Sequence, residues 1–455
     1  MTDPLRNQRV AIMGFARQGR ALARWLPTVG ALPVVSDSKD AQQLQLNPAD
    51  WPQVEFIFND SQQQLPPNID VLCVSGGVPL DTPMIRDAYA RGVRVTNDAQ
   101  LFLERCPAPV VGITGSAGKT TTTTLTGEIC KRAGFTTYVG GNIGDVLLDV
   151  LPQIKPAERV VMELSSFQLE IMTLSPQYAA VLNITPNHLD RHGTMQAYIA
   201  AKANIILHQH NDDFAVLSKD DGNSRALEDE VRGSLVSFSM RELLADGAFM
   251  AGERLLLSGL CSPDGAPVVI GHRQDIQLRG DHNVLNVLAA CALTGAMGIT
   301  PADMLAAIRD FKGVAHRLEV VRVKDGVTYV NDSIATAPER VLAALRSYHE
   351  PLVLLLGGKD KDLPWEEMLG VALTKARHII AFGHAGEMIA RTLLTVYGES
   401  QRVTQVEKLE DALTKAAVVA QPGDVVLLSP GGTSYDAYVD FAARGDHFRQ
   451  LVAQL

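Results

Sequence analysis

Residues 110–124 read VVGITGSAGKTTTTT. The apolar run Val110–Ile113 suits a buried strand, and Thr114-Gly115-Ser116-Ala117-Gly118 a tight loop. Lys119-Thr120-Thr121 then opens a segment with helical periodicity through Leu125 and Ile129. Strand, glycine loop, Lys-Thr and helix make a cradle for a triphosphate. Glycines let backbone N–H groups face phosphate oxygens, and the helix N-terminus adds partial positive charge. The lysine reaches the outer phosphates and the Thr120 hydroxyl suits Mg²⁺. Gly115, Ser116, Ala117, Gly118, Lys119, Thr120 and Thr121 are therefore the candidate nucleotide contacts. The spacing departs from G-x-x-x-x-G-K-[ST], because Ile113 stands at the first glycine position. The assignment rests on strand, loop and Lys-Thr coinciding.

Further chemistry follows downstream. Arg159-Val160-Val161-Met162 reads as an apolar strand with Glu163 at its end, where an acid can hold Mg²⁺ directly or through water. Ala179–Asn183 reads as another strand. It runs into Thr185-Pro186-Asn187-His188-Leu189-Asp190-Arg191-His192, a segment too polar for a core. Lys202 falls on a helix predicted over Met195–Leu207, among alanines. Such a lysine either approaches a partner closely or stands solvated. The last third places Asn331-Asp332-Ser333, Gly357-Gly358-Lys359-Asp360-Lys361 and Ser429-Pro430-Gly431-Gly432-Thr433-Ser434 at strand exits, with His316-Arg317 at the entry. A Ser-His-Asp or Cys-His arrangement and a zinc motif are lacking. Phosphoryl transfer is the economical reaction class, catalysed by positioning and charge neutralisation through Lys119, Mg²⁺ and an arginine such as Arg317. Whether the phosphoryl acceptor is water, a hydroxyl or a carboxylate stays open at this level.

The elements that must position these groups are those of an α/β protein. With 455 residues, two or three domains are expected. Arg9–Met13, a turn at Gly14-Phe15-Ala16-Arg17-Gln18-Gly19, a helix over Arg20–Leu26 and a strand over Leu32–Ser36 form a βαβ opening ending in Asp37. That acid falls near the ribose-binding position of a dinucleotide fold, but G-x-G-x-x-G is absent. Ile69–Val74 is a further strand, followed by the small-residue loop Ser75-Gly76-Gly77. Cys106–Pro109 reads as a linker, Val139–Gly144 as a glycine-rich turn, and 213–276 as a β-rich stretch. Long helices are predicted to Met297 and over Thr300–Phe311, and strands over Leu318–Val323, Val327–Val330, Leu352–Leu356, Ile379–Ala381 and Val425–Leu428. The five cysteines lie scattered and outside any C-x-x-C pair, which suits reduced thiols in the cytoplasm. The opening residues lack a signal-peptide layout, and no apolar window is long enough for a membrane span. A net charge of −10, from 41 basic and 51 acidic residues, disfavours nucleic acid and requires any anionic ligand to be held by a few placed cations.

The chain resembles the Mur ligases, ATP-dependent enzymes that build the peptide stem of peptidoglycan, and among them the members that add glutamate to UDP-N-acetylmuramoyl-L-alanine. The motifs GITGSAGKTT, GGNIG, ELSSFQLE, NITPNHLDRHG, YIAAKANI, HNVLN, HRLE, NDS, LLGGKDKD and LSPGGTSYDAY stand in family order across nearly the whole chain. The resemblance implies three domains: a Rossmann-like UDP-binding domain over 1–105, a central ATPase over 106–312 and a C-terminal α/β glutamate-binding domain over 313–455. It implies a cytoplasmic monomer acting on small molecules. The implied reaction phosphorylates the substrate carboxylate from ATP, and the amine of D-glutamate then attacks the acyl phosphate. Lys119 would bind the outer phosphates, and Thr120 and Glu163 one Mg²⁺. His188 and Lys202 would serve a second Mg²⁺, Lys202 as an N-carboxylated lysine. Asn286 and Asp332 would hold adenine and ribose, and Arg317 the γ-phosphate. Phe15, Ala16, Ser38, Lys39, Ser75 and Gly77 match uridine-diphosphate positions. Asn142, Ser165 and Gln168 match positions near the muramoyl-alanine, and Thr336, Lys361, Ser434 and Phe441 the glutamate pocket.

Two motifs depart from the family pattern. N-D-S-K-A-T reads Asn331-Asp332-Ser333-Ile334-Ala335-Thr336, so one cation near the glutamate is lost, and S-P-A-x-A-S reads Ser429-Pro430-Gly431-Gly432-Thr433-Ser434. Isoleucine at 334 also resembles the L-glutamate-adding relatives, whereas retention of Lys361 favours D-glutamate. Folylpolyglutamate synthase shares the chemistry but lacks a UDP-binding first domain. A nicotinamide-binding oxidoreductase, suggested by Gly14, Gly19 and Asp37, and a non-catalytic nucleotide switch are the readings from other classes.

Overall fold

The computed structural model describes residues 2–59, 64–76, 78–142, 146–361 and 363–455. The chain forms two compact units, Met1–Gln277 with Asp281–Phe311, and Leu278–Gly280 with Lys312–Leu455.

The first unit holds two sheets. The opening sheet comprises β1 (Arg9–Met13), β2 (Leu32–Ser36), β3 (Glu55–Ile57), β4 (Val71–Val74) and β5 (Arg94–Thr96), in the order β3-β2-β1-β4-β5. All pairings are parallel, with Met13 opposite Ser36 and Val74. The central strands are continuous apolar runs because helices cover both faces of a parallel sheet. The order turns back at β1, so the loops after β1 and β4 meet at a switch point, where such sheets bind ligands. The first helix, Arg17–Trp25, starts three residues before the predicted Arg20.

The second sheet comprises β6 (Val110–Thr114), β7 (Thr137–Gly141), β8 (Arg159–Glu163), β9 (Tyr178–Val181), β10 (Phe214–Ser218), β11 (Ser234–Ser239), β12 (Gly247–Ala251), β13 (Arg254–Ser258) and β14 (Val268–His272). The order is β14-β13-β12-β11-β10-β9-β6-β8-β7. Pairing is parallel from β7 to β12 and antiparallel across β12, β13 and β14. Helices Lys119–Arg132 and Asp281–Ala296 pack on it. The reading of Val139–Gly144 as a turn is corrected here. Val139, Gly140 and Gly141 are the end of β7, and Gly141 pairs with Glu163. A Cβ on Gly141 would lie 2.5 Å from the Glu163 carbonyl, so glycine permits this close pairing. Ile143 and Gly144 lie outside the described residues.

The two sheets share one apolar core. Leu22, Trp25 and Leu26 of the first domain and Val146, Leu147, Leu148 and Leu151 of the second are buried together. Each large apolar side chain buried there stabilises by roughly 1.5–3 kcal/mol. The Arg24–Asp149 ion pair at the same seam, 2.7 Å apart and half exposed, contributes about 0–1 kcal/mol. Apolar packing decides the joint.

The second unit has one sheet: β15 (Glu319–Lys324), β16 (Val327–Asn331), β17 (Leu352–Gly357), β18 (Ala376–Phe382), β19 (Val403–Gln405) and β20 (Val425–Gly431). The order is β15-β16-β20-β17-β18-β19, with β15 antiparallel and the rest parallel. Along β17, Leu352, Leu354 and Leu356 enter one core and Val353 and Leu355 the other, the two-residue period of a strand buried on both faces. No helix among the described residues is long and apolar enough to cross a membrane.

Candidate active site

The phosphate loop leaves β6 at the centre of the second sheet. Gly118 sits at φ +84° as the N-cap of helix Lys119–Arg132. A Cβ there would stand 2.2 Å from Asn286 Oδ1, so both backbone angle and space demand glycine. Asn286, 165 or so residues from Thr121 in sequence terms, is thereby held against the loop; its Nδ2 donates to Asn283 Oδ1 at 3.1 Å. Asn183 clamps the loop from the other side: Ala117 N–H donates to its Oδ1 at 2.9 Å and its Nδ2 to the Ala117 carbonyl at 3.0 Å. Lys119 Nζ donates to the carbonyls of Gly115 (2.8 Å) and Ser116 (3.4 Å). Thr121 is buried on the first helical turn.

Beneath the loop lies a buried polar cluster. Glu163, 2% exposed at the end of β8, accepts from Thr120 Oγ1 at 2.9 Å and from Asn142 Nδ2 at 3.1 Å. Neither donor is charged. Lys202, 1% exposed, donates to the Gly115 carbonyl at 3.0 Å and to Thr114 Oγ1 at 3.4 Å. Burial, reinforced by the charge of Lys119, pushes its ammonium well below the ordinary lysine range, with Glu163 pulling weakly the other way. Its ammonium also lies 4.7 Å over the Tyr198 ring, and Tyr198 Oη is 3.1 Å from Ser116 Oγ. Tyr198 opens the motif YIAAKANI but carries no role in the sequence reading; its position four residues before Lys202, on one helical face, is the signal that could have found it.

The polar segment after β9 is ordered by stacking. His192 lies flat on Phe167 at 5.3 Å, with its Nε2 3.0 Å from Ser166 Oγ. His188, exposed, adopts φ +52° and packs on the same ring at 5.1 Å. Arg191 covers Phe167 and donates to the Val78 carbonyl of the first domain. The side chain of Asp190 lies outside the described residues.

At the carboxyl-terminal end of β2, Asp37 turns inward. Its Oδ2 accepts from Phe15 N–H at 2.7 Å and its Oδ1 from Lys39 N–H at 2.9 Å. These bonds pin the loops carrying Ala16, Ser38 and Lys39, which are exposed. They also spend the acid that suggested a ribose contact. Phe15 is buried against Trp51 and Phe56, so its side chain is core. Ser75 borders Gly14, and a Cβ on Gly76 would lie 3.9 Å from Gln168 Cγ. The β4 loop therefore meets the capping box in which Ser165 and Gln168 hold each other. Gly77 lies outside the described residues. Arg17, unnoticed in the sequence, donates to the carbonyls of Gly141 and Asn142, which fixes Asn142 beside Glu163.

In the second unit, Asp332 follows β16. It is 4% exposed and accepts from Ser429 Oγ at 2.8 Å and Leu318 N–H at 3.2 Å. Burial pushes its carboxyl up to about 7, against the opposing effect of these bonds and of Arg317 and Arg340. Arg317 stands between two left-handed residues, His316 (φ +63°) and Leu318 (φ +43°). Each costs about 1–2 kcal/mol, offset by the His316–Asn331 and Leu318–Asp332 bonds. Phe441 accepts at its carbonyl from Ser333 Oγ, and Ser434 is buried. Thr336 is half-buried and Lys361 exposed. Arg444, fully buried, ties the two loops by donating to Ser333 O, Gly432 O and Thr433 O. One of two arginines in the helix Phe441–Gln454, it carries no signal in the sequence.

Three family models match consecutive parts of the chain: Mur ligase MurD-like, N-terminal domain over 8–97, Mur ligase middle domain over 113–294, and Mur ligase, glutamate ligase domain over 316–432. The UDP-N-acetylmuramoylalanine--D-glutamate ligase of Pelotomaculum thermopropionicum is 39% identical over 100% of this chain and 99% of its own length. The chain belongs to the Mur ligase family. A second Mur ligase of the same description, from Symbiobacterium thermophilum, is 38% identical over 99% of this chain and 98% of its own. Among solved structures, the UDP-N-acetylmuramate-alanine ligase MurC of Thermotoga maritima superposes with a TM-score of 0.56 at 20% identity, covering 98% of this chain and all of that one. MurF of Acinetobacter baumannii gives 0.57 at 19% identity over 93% and 90%. These likenesses show the Mur ligase fold, three α/β domains in series. Mur ligases are ATP-dependent ligases that join an acid to an amino acid.

Proposed function

We propose that this Mur ligase adds D-glutamate to UDP-N-acetylmuramoyl-L-alanine, at the expense of ATP, in peptidoglycan precursor synthesis. The observation that carries the reading is Glu163: a buried carboxylate whose hydrogen-bond donors among the described residues, Thr120 and Asn142, are neutral, set under a phosphate loop. A buried charge of this kind is completed by a cation. Its oxygen and the Thr120 hydroxyl are the hard donors Mg²⁺ prefers. A cluster of three His, Cys, Asp or Glu is absent among the described residues, and an ion shared with nucleotide phosphates needs few protein ligands.

In this reading Thr120 and Glu163 hold one Mg²⁺, and His188 and Lys202 serve a second. Mg²⁺ supplies charge neutralisation at the transferring phosphoryl group. Burial lowers the pKa of Lys202 and so favours the neutral amine, the form that attacks CO₂. An N–C bond forms, a proton leaves to solvent and the cation becomes an oxygen ligand. Lys119 and Arg317 hold the outer phosphates, and Asn286 and Asp332 the adenine and ribose. The carboxylate of the L-alanyl group attacks the γ-phosphorus and ADP leaves, giving an acyl phosphate. The neutral amine of glutamate attacks that carbonyl, and the tetrahedral intermediate expels phosphate. Ala16, Ser38, Lys39, Ser75 and Gly77 contact the uridine diphosphate, with Phe15 contributing backbone alone. Asn142, Ser165 and Gln168 face the muramoyl-alanine, and Thr336, Lys361, Ser434 and Phe441 the glutamate. The domains run 1–105, 106–312 and 313–455, in a cytoplasmic monomer that binds no nucleic acid.

The test is ADP and phosphate release with ATP, Mg²⁺ and UDP-N-acetylmuramoyl-L-alanine, with D- or L-glutamate in parallel. Turnover with D-glutamate alone supports the reading. Turnover with L-glutamate alone moves the protein to the L-glutamate-adding variant, which Ile334 in place of lysine favours. For Lys202, ¹³C-bicarbonate should give a carbamate carbon resonance in the wild type that vanishes in Lys202→Ala.

A further inference from the structure

We propose that Arg340 is a specificity-determining residue, whose guanidinium binds a carboxylate of the incoming amino acid. The proposal rests on the reading of the chain as a glutamate-adding ligase. That ligase must hold a dianionic amino acid on a protein of net charge −10, so individual cations have to be placed for it.

The amino-acid candidates gather at the carboxyl-terminal end of the sheet's inner strands. β20 lies between β16 and β17, so the exits of all three strands are neighbours. Thr336 follows β16, Ser434 follows β20 and Lys361 follows β17. Gly431 N–H donates to the Ala335 carbonyl at 2.8 Å, and Lys359 and Thr433 pair across the other two exits. Residue 334, inside the first of these loops, is a half-buried isoleucine and brings no charge.

Arg340 supplies one. It lies in the first turn of the helix Pro338–Arg346, which starts immediately beyond this loop. Its side chain turns back over the loop, and Nη1 donates to the Ile334 carbonyl at 3.2 Å. The cation is thus anchored at the residue that lacks one. Its positive charge also acts on Asp332, two residues before Ile334 in the same loop. The residue is exposed, and among the described residues the Ile334 carbonyl is the sole hydrogen-bond partner of its guanidinium. A guanidinium carries five N–H donors, so a pair remains to grip a carboxylate bidentately. A lysine cannot reproduce that fork.

The test is steady-state kinetics of the full chain, wild type, Arg340→Ala, Arg340→Lys and Arg340→Ala with Ile334→Lys. Glutamate is varied, with D-glutamine and D-isoglutamine as probes that each lack one carboxylate. Arg340→Ala should raise the KM for glutamate about 10–100-fold, the loss of a charge-assisted pair. The KM values for ATP and the UDP-sugar should stay within about twofold, and Ile334→Lys should recover part of the loss. One amide, the one lacking the contacted carboxylate, should be used equally well by wild type and Arg340→Ala. A glutamate KM unchanged in Arg340→Ala, or an equal rise in all three KM values, overturns the proposal. Wild type without glutamate turnover would instead remove the ligase reading beneath it.

Discussion

At the scale of the residue, burial sets the chemistry. Lys202 and Asp332 are ordinary in sequence, and each is moved off its usual protonation behaviour by loss of water. For Asp332 this fixes a pH dependence of stability. Its carboxyl is raised from 3.8 to about 7 in the folded protein, so the fold holds that proton more tightly than the unfolded chain does. Stability present at acid pH is therefore lost as the pH rises from about 4 through about 7, by at most about 4 kcal/mol. Asp332→Asn removes the titration. The melting temperature of Asp332→Asn minus that of the wild type should climb across that window and level off above it. A difference that stays flat from pH 4 to pH 8 would exclude the raised carboxyl.

At the scale of the element, two glycines of similar backbone angle separate function from strain. Gly118 (φ +84°) abuts Asn286 on the phosphate loop, while Gly134 (φ +90°) has open space around it. Gly118→Ala should lower stability by about 1–3 kcal/mol, through left-handed strain and the collision, and weaken ATP binding at least about tenfold. Gly134→Ala should lower stability by about 1–2 kcal/mol and leave ATP binding unchanged. Urea unfolding and calorimetric titration with ATP separate the two. If Gly134→Ala also loses ATP, the loop is not the cause.

At the scale of the whole molecule, the first two domains behave as one unit because their cores merge. Leu148, 1% exposed, belongs to that shared core. Leu148→Ala should cost about 2–5 kcal/mol in urea unfolding, whereas Arg24→Ala, which removes the half-exposed pair with Asp149, should cost less than about 1 kcal/mol. The reverse ranking would mean that ion pairing, not packing, holds the seam.

Local physics was legible in the sequence. Apolar runs gave β1, β2, β6, β8 and β17, helical periodicity gave Met195–Leu207, and the phosphate loop announced itself by glycine and Lys-Thr spacing. The strands left out, β3, β5, β7 and β19, all lie at sheet edges, where one neighbour and partial burial weaken the apolar pattern. Tertiary structure decided the rest. It turned Asp37 inward onto two N–H groups, made the Phe15 side chain core, put Tyr198 under Lys202, and brought Arg340 back over Ile334. Residue types and spacing fix which groups are available. Desolvation and the company each group keeps arise only when distant segments pack, so charge state and contact were settled by the fold.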